Sequence, residues 1–409
     1  MESPAYQETT NVNLDFLYGV LQLGPWGYVI SGIVLLQVTI MAVTLYLHRD
    51  AAHRSLDLHP VLRHFFRCWI WLTSGQITRE WVAVHRKHHA FSDRPGDPHS
   101  PVVFGIRKVL LEGYELYRPE SRNPETHAKF GADTVNDWVE RNVYSRYRNL
   151  GIVLLVGAYL VLFGVPGIIL IAVQLAAMPV LAAGVINGLG HYSGYRNYEC
   201  DNAARNIVPW GVLIGGEELH NNHHAFPTSA KFSTQPWEFD IGWFYIKLFE
   251  ALRLARVRRV APQPVLAPER RKVDLETVRA VITNRMHVLR EYKKMVTVPV
   301  LKQEWSRRMP SLSLRRAAHK LLTRHPALLD GQANKRLAAI LAESQILHRV
   351  HTYRDRLRQL WENRQGSNER LIASLKEWCA EAEASGIKAL EEFARRLSSY
   401  CMAPALQGA

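Results

Sequence analysis

Four short groups of histidines recur with regular spacing: His48-x4-His53, His85-x2-His88-His89, Asn187-x3-His191 and His220-x2-His223-His224. Thirteen of the 18 histidines fall in the first 250 residues, so the clustering is not spread evenly along the chain. On a helix, positions i, i+3 and i+4 share a face. Each H-x-x-H-H is therefore expected to present three imidazoles to a common point, and Asn187 is expected to share a face with His191. Imidazole suits zinc, copper and iron. Nine histidines and one asparagine exceed the three or four protein ligands of a zinc site, which favours two ions with about four or five nitrogens each. An all-histidine, carboxylate-poor pair points to iron and oxygen chemistry. His59, His64, His99 and His127 lie outside the repeats and read as ordinary core or surface histidines. Cys68, Cys200, Cys379 and Cys401 form no C-x-x-C, which argues against a zinc ribbon, an iron–sulfur site or a disulfide framework.

The elements that must position these groups are apolar. Residues 25–47 carry no charge, and a membrane span needs about 20 such residues. The uncharged stretch 149–195 is interrupted at Phe163-Gly164-Val165-Pro166-Gly167 and reads as a hairpin of two further spans. Residues 61–78 contain Arg63, His64 and Arg67 and read as an interfacial or partly buried helix. Residues 1–24 and the turn near Gly164 lack Lys and Arg, whereas 49–148 and the chain after Arg196 are rich in them. The positive-inside rule then turns the N-terminus outward and places every histidine group on the cytoplasmic side of a multi-pass protein, as in a bacterial inner membrane. The first basic residue is Arg49, so no signal peptide is apparent.

The net charge of +14 is uneven: residues 251–409 hold 31 basic and 15 acidic residues, residues 1–250 hold 20 and 22. The segment from Trp243 to Val260 is amphipathic and basic, suited to an anionic leaflet. Pro262, Pro264 and Pro268 mark a linker. The expected plan is an N-terminal segment (1–24), a membrane domain (25–260), a Pro-rich linker (261–269) and a basic helical domain (270–409), with Pro310, Pro326 and Gly366 as breaks between helices. The words around Leu360-Trp361-Glu362 and Ser385-Gly386-Ile387 weakly resemble helical portions of some transposases. No zinc-finger, RNA-recognition or helix-turn-helix signature accompanies them, and charges alternate in sign as on solvated helices, which argues against nucleic acid as the partner.

In order and spacing, the four histidine motifs resemble the membrane fatty acid desaturases of the stearoyl-CoA desaturase-like branch, bacterial type. The resemblance covers roughly residues 25–260 and includes Leu56-Asp57-Leu58-His59-Pro60, Arg94-Pro95-Gly96-Asp97-Pro98-His99 and Gly216-Glu217-Glu218-Leu219. It implies an all-α integral membrane helical fold with a cytoplasmic di-iron histidine cap, followed by a C-terminal soluble helical extension. It also implies that His48, His53, His85, His88, His89, His191, His220, His223 and His224 bind two irons, with Asn187 reaching one of them through water. O2 would be the co-substrate, and the reaction a delta-9-type cis desaturation of a saturated acyl chain. Trp81 resembles the family tryptophan beside the substrate tunnel. Animal relatives carry an Arg-Asp pair that helps hold coenzyme A where this chain has Ala83-Val84; acyl-CoA is the expected carrier, phospholipid-bound chains the alternative. A membrane hydroxylase is the rival chemistry, but its sterol-type boxes begin with H-x3-H and its alkane type carries glutamates within them. No dinucleotide fingerprint or fused haem signature is present, so electrons are expected from a separate ferredoxin, rubredoxin or cytochrome, docked by cations such as Arg79, Arg86, Lys87, Arg196 and Arg205. Since every ligand position precedes residue 225, the helical extension is expected to be dispensable for the chemistry.

Overall fold

A computed structural model describes residues 15–308, 312–362 and 367–402. Residues 1–14 of the expected N-terminal segment, and the breaks expected at Pro310 and Gly366, lie outside the described residues. Up to residue 251, the helices that matter below are α1 (Pro25–Ala52), α2 (Pro60–Ser74), α3 (Thr78–Phe91), α4 (Ile106–Glu120), α5 (Arg148–Phe163), α6 (Gly167–Leu189), α7 (His220–Ala225) and α8 (Ile241–Ala251). The described residues form two compact units: one of those up to Tyr192 with Val208–Leu219 and Thr228–Arg259, the other of Ser193–Ile207 with His220–Pro227 and the described residues from Val260 onward.

In the first unit, α1 starts with Pro25, whose missing N–H costs nothing in a first turn. Its first half exposes Trp26, Val29, Ile30, Ile33 and Val34, and burial becomes continuous only towards its end. Helices α1 and α6 are long and apolar enough to cross a membrane. The third expected span, α5, has 16 residues, about 24 Å at 1.5 Å per residue, short of the roughly 30 Å hydrocarbon core. In α2, the charges that set it apart from a span turn inward onto partners. Arg63 forks onto Asp50 (2.7 and 2.9 Å), and Arg67 onto Asp137 (2.6 and 2.9 Å) and Glu140 (3.0 Å).

Two short ladders close this unit: Leu56–Leu58 (β1) antiparallel to Ala255–Val257 (β4), and Trp210–Gly211 (β2) parallel to Phe239–Asp240 (β3). Arg49 is fully buried at their junction with α1. It donates to Asp240 (3.0 Å) and to the Ala230 carbonyl (2.9 Å), and its guanidinium lies 3.9 Å over the Phe232 ring. Gly216, at φ +93°, permits this approach, since a Cβ there would sit 2.1 Å from Asp240 Oδ1.

The second unit is helical, with α9 (Leu275–Thr283), α10 (Arg285–Tyr292), α11 (Val298–Arg308), α12 (Leu312–Thr323), α13 (Gly331–Ala342), α14 (Gln345–Glu362), α15 (Asn368–Glu383) and α16 (Lys388–Ser398). Asp274, Asp330 and Ser367 cap α9, α13 and α15 by accepting backbone N–H bonds. The core gathers Tyr292, Leu357, Trp378, Phe393 and Leu397. Buried Arg354 donates to the carbonyls of Leu322 (2.8 Å) and Thr323 (3.1 Å), which end α12 ahead of Pro326. The Pro-rich stretch is tied down: Val265–Leu266 (β5) pairs antiparallel with Tyr400–Cys401 (β6), and the Ala267 N–H donates to the Ser399 carbonyl (2.8 Å). The main change of unit falls between Arg259 and Val260, and the second unit also takes in two earlier segments, Ser193–Ile207 and His220–Pro227. The expected all-α class meets a mostly helical molecule, with three two-stranded ladders among the described residues.

Candidate metal centre

His48 and His53 sit at the end of α1. In a regular α-helix, residues five apart lie roughly 140° apart around the axis. Here Ala42–Ala52 winds to the wider π repeat, and the His53 N–H donates to the His48 carbonyl (3.0 Å), five residues back. That bond brings the two rings to 4.9 Å between centroids. Along α3, His85 and His89 share a face, and His48, His53, His85 and His89 each offer a ring nitrogen within 4.8 Å of the others. His53 Nε2 and His85 Nε2 are 2.8 Å apart.

His88 faces elsewhere, its ring 4.9 Å from that of His191 and 4.6 Å from that of His99. The expectation that one H-x-x-H-H aims three imidazoles at one point is corrected for this helix: positions i and i+4 serve one group, and i+3 serves another. His191 lies in the turn after α6, and Asn187 is half-buried in that helix's π-wound end rather than in a regular turn. In the second unit, His220, His223 and His224 are buried on α7, with His220 and His224 Nε2 3.1 Å apart. The His223 ring is 5.9 Å from His220 and 5.5 Å from His224.

Three carboxylates stand behind these rings. Glu217 Oε1 meets His48 Nδ1 at 2.6 Å, Asp97 Oδ1 meets His88 Nδ1 at 3.0 Å, and Asp93 Oδ2 meets His191 Nδ1 at 2.7 Å. When ionised, as Asp97 is held by His88, a carboxylate on Nδ1 selects the tautomer with Nε2 free to donate its lone pair, the usual support of a metal-bound imidazole. Burial pushes His53 down to about 3, aided by the charge of Arg86, and pushes His85 well below its ordinary range together with its neighbouring histidines. His88 goes up, because Asp97's charge and hydrogen bond outweigh its burial. Burial pushes the Glu217 carboxyl up to about 8 against the pull of Arg49 and Thr44.

Neutral imidazole nitrogens 2.8 and 3.1 Å apart need a shared proton or a cation between them. Neighbouring ligands on an ion with bonds of about 2.1 Å sit about 3 Å apart. The donor set fits an imidazole-preferring ion.

His99, read from sequence as an ordinary histidine, is 4% exposed, and neither of its ring nitrogens has a hydrogen-bond partner. It groups with His88 and Asp97 within 4.8 Å, and burial holds it down to about 3. His99 and the three carboxylates are the residues sequence reasoning passed over. The signal was present in the words around Asp97-Pro98-His99 and Glu217-Glu218.

Trp81 stacks on His85 and meets His48 edge-on, 6.0 Å between centroids. An apolar pocket opens between α1 and α6, lined by Ile40, Val43, Thr44, Met178, Leu181, Ile186, Ile214 and Glu217. Four of the five cations read as docking residues have partners within the chain. Arg86 caps the end of α1 through the carbonyls of Ala51 and Ala52 (both 3.0 Å), and Lys87 pairs with Glu120 (2.8 Å). Arg196 donates to the carbonyls of Asn202 (2.7 Å) and Cys200 (3.0 Å), and Arg205 to that of Gly194 (3.0 Å). Helix ends and loops leave carbonyls that need donors, and these side chains supply them.

The family model for fatty acid desaturases matches residues 23–239, and one described as a transposase matches residues 276–402. Delta-9 desaturase-like 5 protein of Arabidopsis thaliana is 30% identical over 269 residues, 60% of this chain and 82% of the relative. Delta-9 acyl-lipid desaturase 1 of the same plant is 30% identical over 244 residues, 59% and 75% of the two chains. The sn-1 stearoyl-lipid 9-desaturase of a Synechocystis strain is 29% identical over 265 residues, 63% and 80%. Since the desaturase model covers more than half of the chain, the chain belongs to the fatty acid desaturase family, whose members are membrane-associated oxidoreductases of lipid metabolism.

Proposed function

We propose that the protein is an O2-dependent desaturase that introduces a cis double bond at the delta-9 position of a saturated acyl chain carried on a membrane lipid. Two observations support the lipid carrier over the acyl-CoA expected from the family branch. Ala83 and Val84, at the positions of the coenzyme A-holding pair of animal relatives, are 0% and 1% exposed and apolar. Relatives at about 30% identity are named for acyl-lipid substrates.

His48, His53, His85, His88, His89, His191, His220, His223 and His224 are the proposed ligands of two irons, with Asn187 reaching one through water; the protein is multi-pass, with these groups on the cytoplasmic side. Bound iron supplies the activation of O2, with electrons from a separate donor protein. The chain's own residues do the rest. Glu217, Asp97 and Asp93 fix the orientation of His48, His88 and His191. The apolar side chains between α1 and α6 are the proposed wall facing the methylenes, parting to admit the chain and keeping water from the reacting carbons. A saturated chain has no polar handle there, so regioselectivity comes from pocket depth.

The observation that carries the carrier assignment is the burial of Ala83 and Val84. Membranes from a desaturase-free host expressing the chain, supplied with a reductase and ferredoxin, should desaturate labelled stearoyl phospholipid directly. Label entering product only from stearoyl-CoA would contradict it.

A further inference from the structure

Helix α7 has six residues and cannot hold its shape alone. Its polar side is tied to the loop Ser193–Ile207. Asn221 is fully buried: its Oδ1 accepts from the N–H groups of Asn197 and Tyr198 (both 2.9 Å), and its Nδ2 donates to the carbonyls of Tyr198 (3.0 Å) and Ala204 (3.1 Å). Asn222 Oδ1 accepts from Asn206 Nδ2 (3.0 Å).

That loop and α7 pack in turn on the helices after residue 260. Tyr198, Cys200, Phe226 and Ala261 form a small core with Met286 against it. The His287 ring lies nearly parallel to Phe226 (5.2 Å, 27°) and edge-on to Tyr198 (5.3 Å, 84°). Beyond α10, Lys293 reaches the buried Glu199 (3.3 Å). Tyr292, on the same helix as His287, is anchored in the main core through Phe393 and the Val350 carbonyl. Phe226 follows His224 by two residues, so whatever fixes Phe226 fixes the end of the histidine helix.

We propose that the appended helices are a clamp on the His220–Pro227 segment, with Met286 and His287 as positioning residues for metal binding; this rests on reading His220, His223 and His224 as ligands. The appendage, expected from sequence to be dispensable, is then required. It is also the part of the chain that matches a transposase family, which on this reading supplies a helical scaffold rather than nucleic-acid chemistry.

The test uses the full-length protein in detergent with cobalt(II) as a spectroscopic probe, iron content per chain, and amide exchange. Wild type should bind cobalt with a histidine-type visible band. His287→Ala should weaken binding by about tenfold or more, as loss of outer support does at metal sites, and shift the band. His287→Phe, which keeps the stack on Phe226, should restore both. Amides of His223–Phe226 should be protected to the same degree as those of Met286–Tyr292 in wild type. A wild type that binds neither metal overturns the ligand reading and the role in metal binding with it. Unchanged cobalt affinity in His287→Ala, equal loss in His287→Phe, or exchange at His223–Phe226 independent of α10 overturns the clamp alone.

Discussion

The indole of Trp81 lies flat against the imidazole of His85, with ring centroids 4.8 Å apart and planes 11° from parallel. Four residues apart on α3, the pair is placed by helix geometry alone. Trp81 thereby restrains a candidate ligand. Such stacks are worth about 0.5–1.5 kcal/mol, so Trp81→Ala should weaken metal binding roughly fivefold while Trp81→Phe retains most of it. Metal titration of the two variants checks this, and equal affinity in both would return Trp81 to a tunnel-lining role.

Asp97 accepts from His88 Nδ1 and from the backbone N–H groups of Asp93 (2.8 Å) and His99 (3.1 Å). Asp97→Asn keeps the size and loses the charge that selects the His88 tautomer. Metal affinity should fall about 10- to 100-fold, while the far-ultraviolet circular dichroism stays that of wild type.

The Arg49–Asp240 pair has no solvent-exposed side chain, and Asp240 also accepts from the N–H groups of Phe232 (2.7 Å) and Trp243 (3.0 Å). Removing one member leaves the other charge buried and costs about 3–5 kcal/mol. Asp240→Asn should lower the melting temperature sharply, and pairing it with Arg49→Met should recover part of the loss.

Glu291 carries a pH signature of the second unit. Burial pushes its carboxyl up, but the fork from Arg396 (2.9 and 2.8 Å) and the Tyr400 hydroxyl (2.9 Å) outweigh it and hold the group below the ordinary glutamate value of 4.5. The folded form therefore binds this proton less readily than the unfolded form. The stabilisation is fully present above 4.5 and is lost as pH falls through the lower folded value. Glu291→Gln should be less stable than wild type at neutral pH and should lose less on acidification, as read from melting temperatures across that range.

The proposed topology rests on the charge pattern. In sealed inside-in vesicles, a tag before Met1 should be accessible from outside and a tag after Ala409 protected, with the reverse in inverted vesicles. The same accessibility at both ends would mean that α5 does not complete a third span.

The histidine motifs were legible because their spacing survives any choice of neighbours. Their partition was not. The division of His85 and His89 from His88 follows from which side chains α3 meets, and the pairing of His48 with His53 needs an i→i+5 bond that no residue in Ala42–Ala52 announces. Asp97, Glu217 and His99 were visible as words but not as partners, and Asp93 lay just outside those words, since a carboxylate that orients an imidazole is specified by a distance across the fold. The Pro-rich stretch is a second case: Pro262, Pro264 and Pro268 mark a linker in the sequence, and the ladder partners of Val265 and Leu266, Cys401 and Tyr400, lie far along the chain where no local pattern points to them.

The most direct measurement is metal content of the purified full-length protein, taken on the preparation that desaturates labelled stearoyl lipid. Two irons per chain, reduced in His88→Ala and His223→Ala together with double-bond formation, is the predicted result. An active preparation holding zinc without iron, or full desaturation by either variant, would contradict it.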